Sequence, residues 1–303
     1  MLIIFLGLVL IGQVISLFLK SIFKNEDAAY VNVEAAENAY VIKKTGYLDL
    51  VGDGIKVDLS KQITIRNKEE FIAVFNGYFE NLKQNGGYTL QGSGMVTGTA
   101  TIFGAQVTAY QAAQNIFSVD RDGNNFIESL SVEVPSPSGN TTGYGMSTGK
   151  RIWVSEASEK QQGTSNVTYT KENGKYIVSA NYDGTEQKEV QKSRNVTLLP
   201  FIVDSSSVEE IKIEENALSY NVSIKLNASG YEQIAKDAKE QASAIRTPQF
   251  SKFTVEVVMN KFGEVISLSV SQNYIITVKR IGMDIDSNTV SNSSYIIKKE
   301  ENE

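Results

Sequence analysis

From Tyr88 to Val134, small and apolar residues fall on every second position: Val96, Gly98, Ala100 and Ile102, then Ala105, Val107 and Ala109, then Leu130, Val132 and Val134. Successive side chains of a strand point to opposite faces, so this period belongs to half-buried strands and argues against a helix through the segment. Leu218, Tyr220, Val222, Ile224 and Leu226 repeat it strictly. Phe253 to Met259 and Glu264 to Val270 read as two long strands joined by Asn260-Lys261-Phe262-Gly263, with a third at Tyr274 to Val278. Asn173-Gly174, between Val167–Glu172 and Lys175–Ala180, marks a hairpin, because both central residues of a type I′ turn need positive φ. Antiparallel sheet is the expected bulk of the chain.

Two stretches carry the helical period. Asn67 followed by Glu70 forms an Asn-x-x-Glu capping pattern before Phe71, Ile72, Phe75, Phe79 and Leu82, and Gly86-Gly87 ends the run. Ser229 and Glu232 form a capping box for a helix with Tyr231, Ile234, Ala238 and Ile245 on one face and Pro248 beyond its end.

The amino terminus has a different character. Met1 to Leu19 carries no charged side chain, and at about 1.5 Å per residue such a helix just spans a ~30 Å hydrocarbon core. With no basic residue before it and no small-x-small cleavage site after it, the run reads as an uncleaved single-pass anchor rather than a signal peptide. Lys20 and Lys24 follow, which alone would keep the body inside. The Ser/Thr/Asn/Gly-rich body has the character of an exported surface, and it is expected outside the cell membrane. Next comes an alanine-rich helix, capped by Asn25 and stopped by Gly46, with Ala28, Ala35, Ala39 and Ile42 on one stripe. Small residues let helices approach closely, so this stripe is the expected packing interface, either for a protein partner or a second copy or for the chain's own β domain.

The expected class is therefore α+β: an N-terminal transmembrane helix and an alanine-rich helix, followed by antiparallel sheets with two packed helices. The divisions are an anchor at 1–24, a helix-plus-sheet domain at 25–134, a Pro/Ser/Gly-rich loop at 135–149 and a second β-rich domain with one helix at 150–303.

The chain has no cysteine and no histidine. That excludes disulfides, thiolate or imidazole nucleophiles, Ser-His-Asp triads and Cys/His metal centres. A net charge of −6 disfavours a nucleic-acid partner. Asp120-Arg121-Asp122-Gly123-Asn124 looks like part of a calcium loop but lacks the required ligands at three positions, and reads as a hairpin turn. The glycines from Gly92 to Gly98 match a dinucleotide loop only in spacing, since no helix follows; they mark bulges or close strand packing. Ser21-Ile22-Phe23-Lys24 matches a serine–lysine pattern but lies on the apolar N-terminal helix. Asp284 and Asp286 read as a solvated strand face, and Trp153, the single tryptophan, as a core anchor. No cofactor, metal or catalytic residue is expected, and the protein reads as non-enzymatic.

Over roughly residues 1–130, the plan of apolar run, AAYVNVEAAENAY, GDGIKVD and EEFIAVFNGYFENLKQN resembles membrane-anchored pilin-like or TadE-like proteins of Gram-positive bacteria. That resemblance implies a structural or assembly component of the cell surface. Nothing acidic precedes Glu26, so the processing and filament entry of true pilins are not implied. The second half, with FTVEVVMNKFGEVISLSVSQNYIITV after a strand and a capped helix, is similar to LolA/LppX-like half-barrels. That likeness implies the alternative, an extracytoplasmic protein that binds a lipid or another hydrophobic ligand between sheet and helix.

Overall fold

The structure, a computed structural model, describes residues 47–49, 56–58, 62–134, 142–145, 149–164, 167–172, 175–182, 187–280 and 283–299. In chain order the first elements are β1 (Tyr47–Asp49), β2 (Lys56–Asp58), α1 (Lys68–Gln84), β3 (Gly87–Ile102), β4 (Ala105–Asp120), β5 (Asn125–Val134), β6 (Thr142–Gly145), β7 (Gly149–Val154) and β8 (Glu159–Thr164). They continue with β9 (Val167–Glu172), β10 (Lys175–Ala180), β11 (Lys188–Val190), β12 (Val208–Glu215), β13 (Ser219–Leu226), α2 (Ala228–Gln241), β14 (Gln249–Asn260), β15 (Val265–Arg280) and β16 (Met283–Lys299).

Among the described residues one antiparallel sheet of 11 strands dominates, in the order β11-β8-β7-β5-β4-β3-β16-β15-β14-β13-β12. Strands from either side of residues 135–149 thus share a single sheet, and the β3–β16 pair, from Ser287↔Ala100 to Lys299↔Tyr88, unites its two halves. A three-stranded sheet, β10-β9-β6, lies beside it. The pairing Lys175↔Glu172 leaves a two-residue connection at Asn173-Gly174.

The strand period assigns the faces. Register places Leu90, Phe117, Ile127 and Ile152 in one row across β3, β4, β5 and β7. On the other half Val222, Val257 and Leu268 align in the same way. These residues face α1, whose Phe71, Phe75, Tyr78, Phe79 and Leu82 are almost fully buried. Phe71 stacks on Phe75 at 5.4 Å, Phe75 meets Phe79 edge-to-face at 5.2 Å, and Phe79 meets Tyr88 of β3 at 5.3 Å. A helix bearing aromatics at i, i+4 and i+8 fills the space above a sheet, and burial at roughly 25 cal/mol per Å² makes this cluster the main hydrophobic contribution of α1. On the opposite face the small sheet packs Val167, Tyr169, Tyr176 and Val178 onto Ala112, Val132 and Val134.

The start of α1 follows the sequence closely. Asn67 is extended, and its Oδ1 accepts the Glu70 N–H at 2.9 Å. Glu70 reaches back to the Arg66 N–H at 2.8 Å, one residue before the cap. Asn67→Ala is expected to cost about 1 kcal/mol, seen as a lower urea midpoint at unchanged slope.

The expected class needs correction. The described chain is one broad sheet with two helices against it, not an α+β arrangement of separate sheets behind helical layers. The reason is strand length: β3, β4 and β15 each run 16 residues and β16 runs 17, long enough to pair along their whole length across the expected domain boundary. The expected strands Glu264–Val270 and Tyr274–Val278 merge into the single strand β15, because the polar Ser271-Gln272-Asn273 stays in register with Asn292, Ser291 and Val290 respectively. Among the described residues no helix is long and apolar enough to cross a membrane. The run Met1–Leu19 and the alanine-rich helix lie outside the described residues.

Candidate functional site

The two helices cover the sheet differently. Where α1 presents aromatics, α2 presents alanines: Ala235 and Ala242 are buried and Ala238 is half-buried. α2 is fixed at its ends. Tyr231 stacks on Phe253 at 5.1 Å and lies against Phe250 at 4.6 Å, while Ala242 joins Ile276, Val278 and Ile285. Asn227 caps the helix by accepting the Ser229 N–H at 3.0 Å, which replaces the expected Ser229–Glu232 box. Tyr231 has non-helical dihedrals (φ −121, ψ 17), so the first turn is kinked from the rest. The helix stops at Gln241, leaving Ile245 beyond its end and 43% exposed rather than on the buried face.

A third element completes the site. Residues 191–203 have no helix or strand and cross the same face as a strap. Its backbone polar groups still need partners, and side chains supply them. Buried Asn125 accepts the Thr197 N–H at 2.9 Å and donates to the Thr197 carbonyl at 3.0 Å, imitating a rung of strand pairing. The Tyr88 hydroxyl donates to the Leu198 carbonyl, Asn76 of α1 donates to Val203 O at 2.7 Å, and Ile202 N–H donates to Gly230 O at 2.8 Å.

Between strap, sheet and α2 lies a cavity of about 220 Å³. Phe117 and Ile127 form its floor, Leu199 and Ile202 its wall, and Ile234 reaches it from the helix. Its rim is polar, with Arg194, Glu232, Lys236 and Asp237. Lys236 is paired with Glu232 at 2.7 Å.

Arg194, 7% exposed, latches α2 over the cavity. Its two terminal nitrogens donate to Asp237 of α2 at 2.8 and 3.2 Å, a bidentate pair. Its Nε, buried without a hydrogen-bond acceptor, lies 3.7 Å from Glu159 Oε2. Glu159 pairs with Val154 across β7–β8 and therefore points to the helix side, where it is fully buried. Burial pushes its carboxyl upward, but Gln161 at 2.6 Å, the Ser193 N–H at 3.2 Å, the Ser193 hydroxyl at 3.0 Å and the Arg194 charge outweigh that and hold it below its ordinary value. Glu159 is thus an ionised anchor for Arg194 at neutral pH. The site can bind and orient; its chemistry is that of apolar surface beside fixed, paired charges.

The sequence-predicted interface Ala28, Ala35, Ala39 and Ile42, and the Ser21–Lys24 pattern, lie outside the described residues. Asp120–Asn124 is the β4–β5 turn, with Gly123 at φ +88, and Asp286 accepts from the Thr277 hydroxyl at 2.7 Å within the sheet. Among the described residues no group of three acidic side chains could hold a metal ion. The residues that build the cavity, Asn125, Glu159, Arg194 and Asp237, carry no motif in the sequence.

No known family profile and no curated protein matches the chain. Among solved structures it is similar to a DUF1329 family protein from Desulfovibrio piger, at 8% identity over 78% of this chain and 94% of that one, with a TM-score of 0.24. It is also similar to MucB in its complex with MucA(peri), at 6% identity over 78% of this chain and 100% of that one, with a TM-score of 0.12. Neither likeness bears on what this chain binds, and the pilin-like, TadE-like and LolA/LppX-like resemblances stay expectations of the sequence.

Proposed function

We propose that the protein is a non-enzymatic binding protein that houses the apolar part of a small amphiphile, such as an acyl chain, between α2 and the sheet. The observation that carries this reading is the cavity enclosed by the strap, the sheet and one side of α2, apolar at its floor and charged at its rim. About 220 Å³ is roughly seven water volumes, room for a short acyl segment and too little for a diacyl lipid. The rim charges are paired, Lys236 with Glu232 and Arg194 with Asp237, so the rim suits a polar head group without net charge. The uncharged run Met1–Leu19 supports a place at the cell membrane, and the Ser/Thr/Asn/Gly-rich body supports a position outside it, where amphiphiles are the ligands at hand. The alternative, a pilin-like assembly component, rests on the resemblance over roughly residues 1–130 and on an interface at residues 28–42; the cavity favours the binding role.

The test is organic extraction and mass spectrometry of the purified full chain beside the variant Ile127→Trp, which fills the cavity floor. The native chain is expected to retain an acyl-chain amphiphile at near one per molecule, and the variant about tenfold less at an unchanged or higher melting temperature. Equal retention by both, or none by the native chain, would end this reading.

A further inference from the structure

We propose a second, independent site on the opposite face of the sheet: a groove that binds a neutral pyranose saccharide by stacking it on Trp153 and Phe126. Ile152 and Val154 are buried toward the helices, so the strand period sends Trp153 the other way. There it pairs across β5–β7 with Phe126, the rings 5.4 Å apart and tilted by 47°. Both rings are half-buried, and the indole N–H has no partner among the described residues. A tryptophan serving only as core would be sealed and its N–H satisfied.

The rings form the base of an open groove of about 510 Å³, within the range of small-ligand sites. Its sides are two tight hairpin turns. In one, Asp120 accepts the Asn124 N–H at 2.8 Å and the Asn124 side-chain amide at 2.9 Å, which leaves Asn124 Oδ1 free. In the other, Ser155 N–H donates to Ser158 O at 3.0 Å. Lys160, opposite Trp153 in the register, is exposed and has no partner among the described residues. Hydrogen bonds within both turns hold the rim before any ligand arrives, which lowers the ordering cost of binding.

This combination selects the ligand class. The C–H bonds on a pyranose face carry partial positive charge and match the negative face of an aromatic ring, while its hydroxyls, both donors and acceptors, radiate toward the rim. A carboxylate, an amide oxygen, an indole N–H and an ammonium are complementary to such hydroxyls. A nucleotide would bring its phosphate beside Asp120 on a chain of net charge −6, and an apolar peptide would leave the rim groups unpaired.

Trp153 is the only tryptophan, so selectively excited tryptophan emission reads this groove. The full chain, in a detergent without a sugar head group, is titrated with cellohexaose, maltohexaose and chitotetraose. At least one is expected to give a saturable emission change. By calorimetry Trp153→Ala should weaken that saccharide about tenfold with the circular dichroism spectrum retained, and Lys160→Ala, on an exposed side chain, about threefold. No saturable change with any of the three, a response to AMP instead, or full affinity in both variants overturns the proposal. Because the α2 cavity lies on the other face, Ile127→Trp should leave saccharide binding unchanged.

Discussion

Gly94→Val is expected to destabilise the protein by about 3 kcal/mol or more and to break its unfolding into two steps. A Cβ at this position would sit 1.8 Å from the carbonyl oxygen of Asn292 and 2.8 Å from Ser293 Cα, which are backbone atoms of β16 that no rotamer change can remove. The strands would have to separate where Gly94 pairs with Ser293, in the middle of the one ladder that joins the two halves of the large sheet. Losing ladder hydrogen bonds there uncouples β11 through β3 from β16 through β12, and cooperative unfolding needs that coupling. Gly92→Ala provides the contrast. Its Cβ would meet the Tyr295 ring at 2.4 Å, a side chain that can swing aside, so about 1 kcal/mol and a single transition are expected. Urea unfolding followed by both tyrosine fluorescence and circular dichroism measures the difference. Equal effects of the two substitutions would refute the assignment of Gly94 as the closing contact.

The glycine spacing that signalled close strand approach in the sequence thus has a physical counterpart at Gly94, and α1 was legible down to its cap. The β9–β10 hairpin and the alternation of β13 were legible for the same reason: each is stabilised by residues within a short window. β16 was not. MDIDSNTVSNSSYIIKK has few apolar residues, and it is a strand because long neighbours on both sides satisfy its backbone, a preference set by the sheet rather than by the segment. Trp153 lay between the two cases. The buried residues on either side of it already dictate an outward side chain, and only the habit of treating a lone tryptophan as core obscured that reading. The cavity had no local signature, since Arg194, Glu159 and Asp237 come from a strap, a strand and a helix and meet only in the folded chain.

That meeting point gives the other large expected effect. Arg194→Met is expected to cost about 3–5 kcal/mol at pH 7, because it strands Glu159, a fully buried carboxylate, without its countercharge. Asp237, with its side chain 27% exposed, can turn to water and contributes little to the loss. The pH dependence separates this cause from simple loss of packing. In the native chain the Glu159 carboxyl titrates below its ordinary value of 4.5, so its contribution to stability is present above about pH 4.5 and is lost as pH falls through the lower folded value. Without the guanidinium the hydrogen bonds from Gln161 and Ser193 remain, but the folded value moves up toward the ordinary one, so less of this contribution is present above about pH 4.5. The stability difference between native chain and variant should therefore be largest toward pH 7 and shrink as pH falls through the folded value of Glu159. A packing defect would give the same difference throughout. Adding Glu159→Leu to Arg194→Met removes the stranded charge and should recover about half or more of the loss at pH 7, as replacement of buried ion pairs by apolar side chains often does. It would not restore the latch on α2. If the cavity binds an amphiphile, the double variant should be stable yet release its ligand faster, which distinguishes a charge network that holds the fold from one that also holds the helix over its ligand.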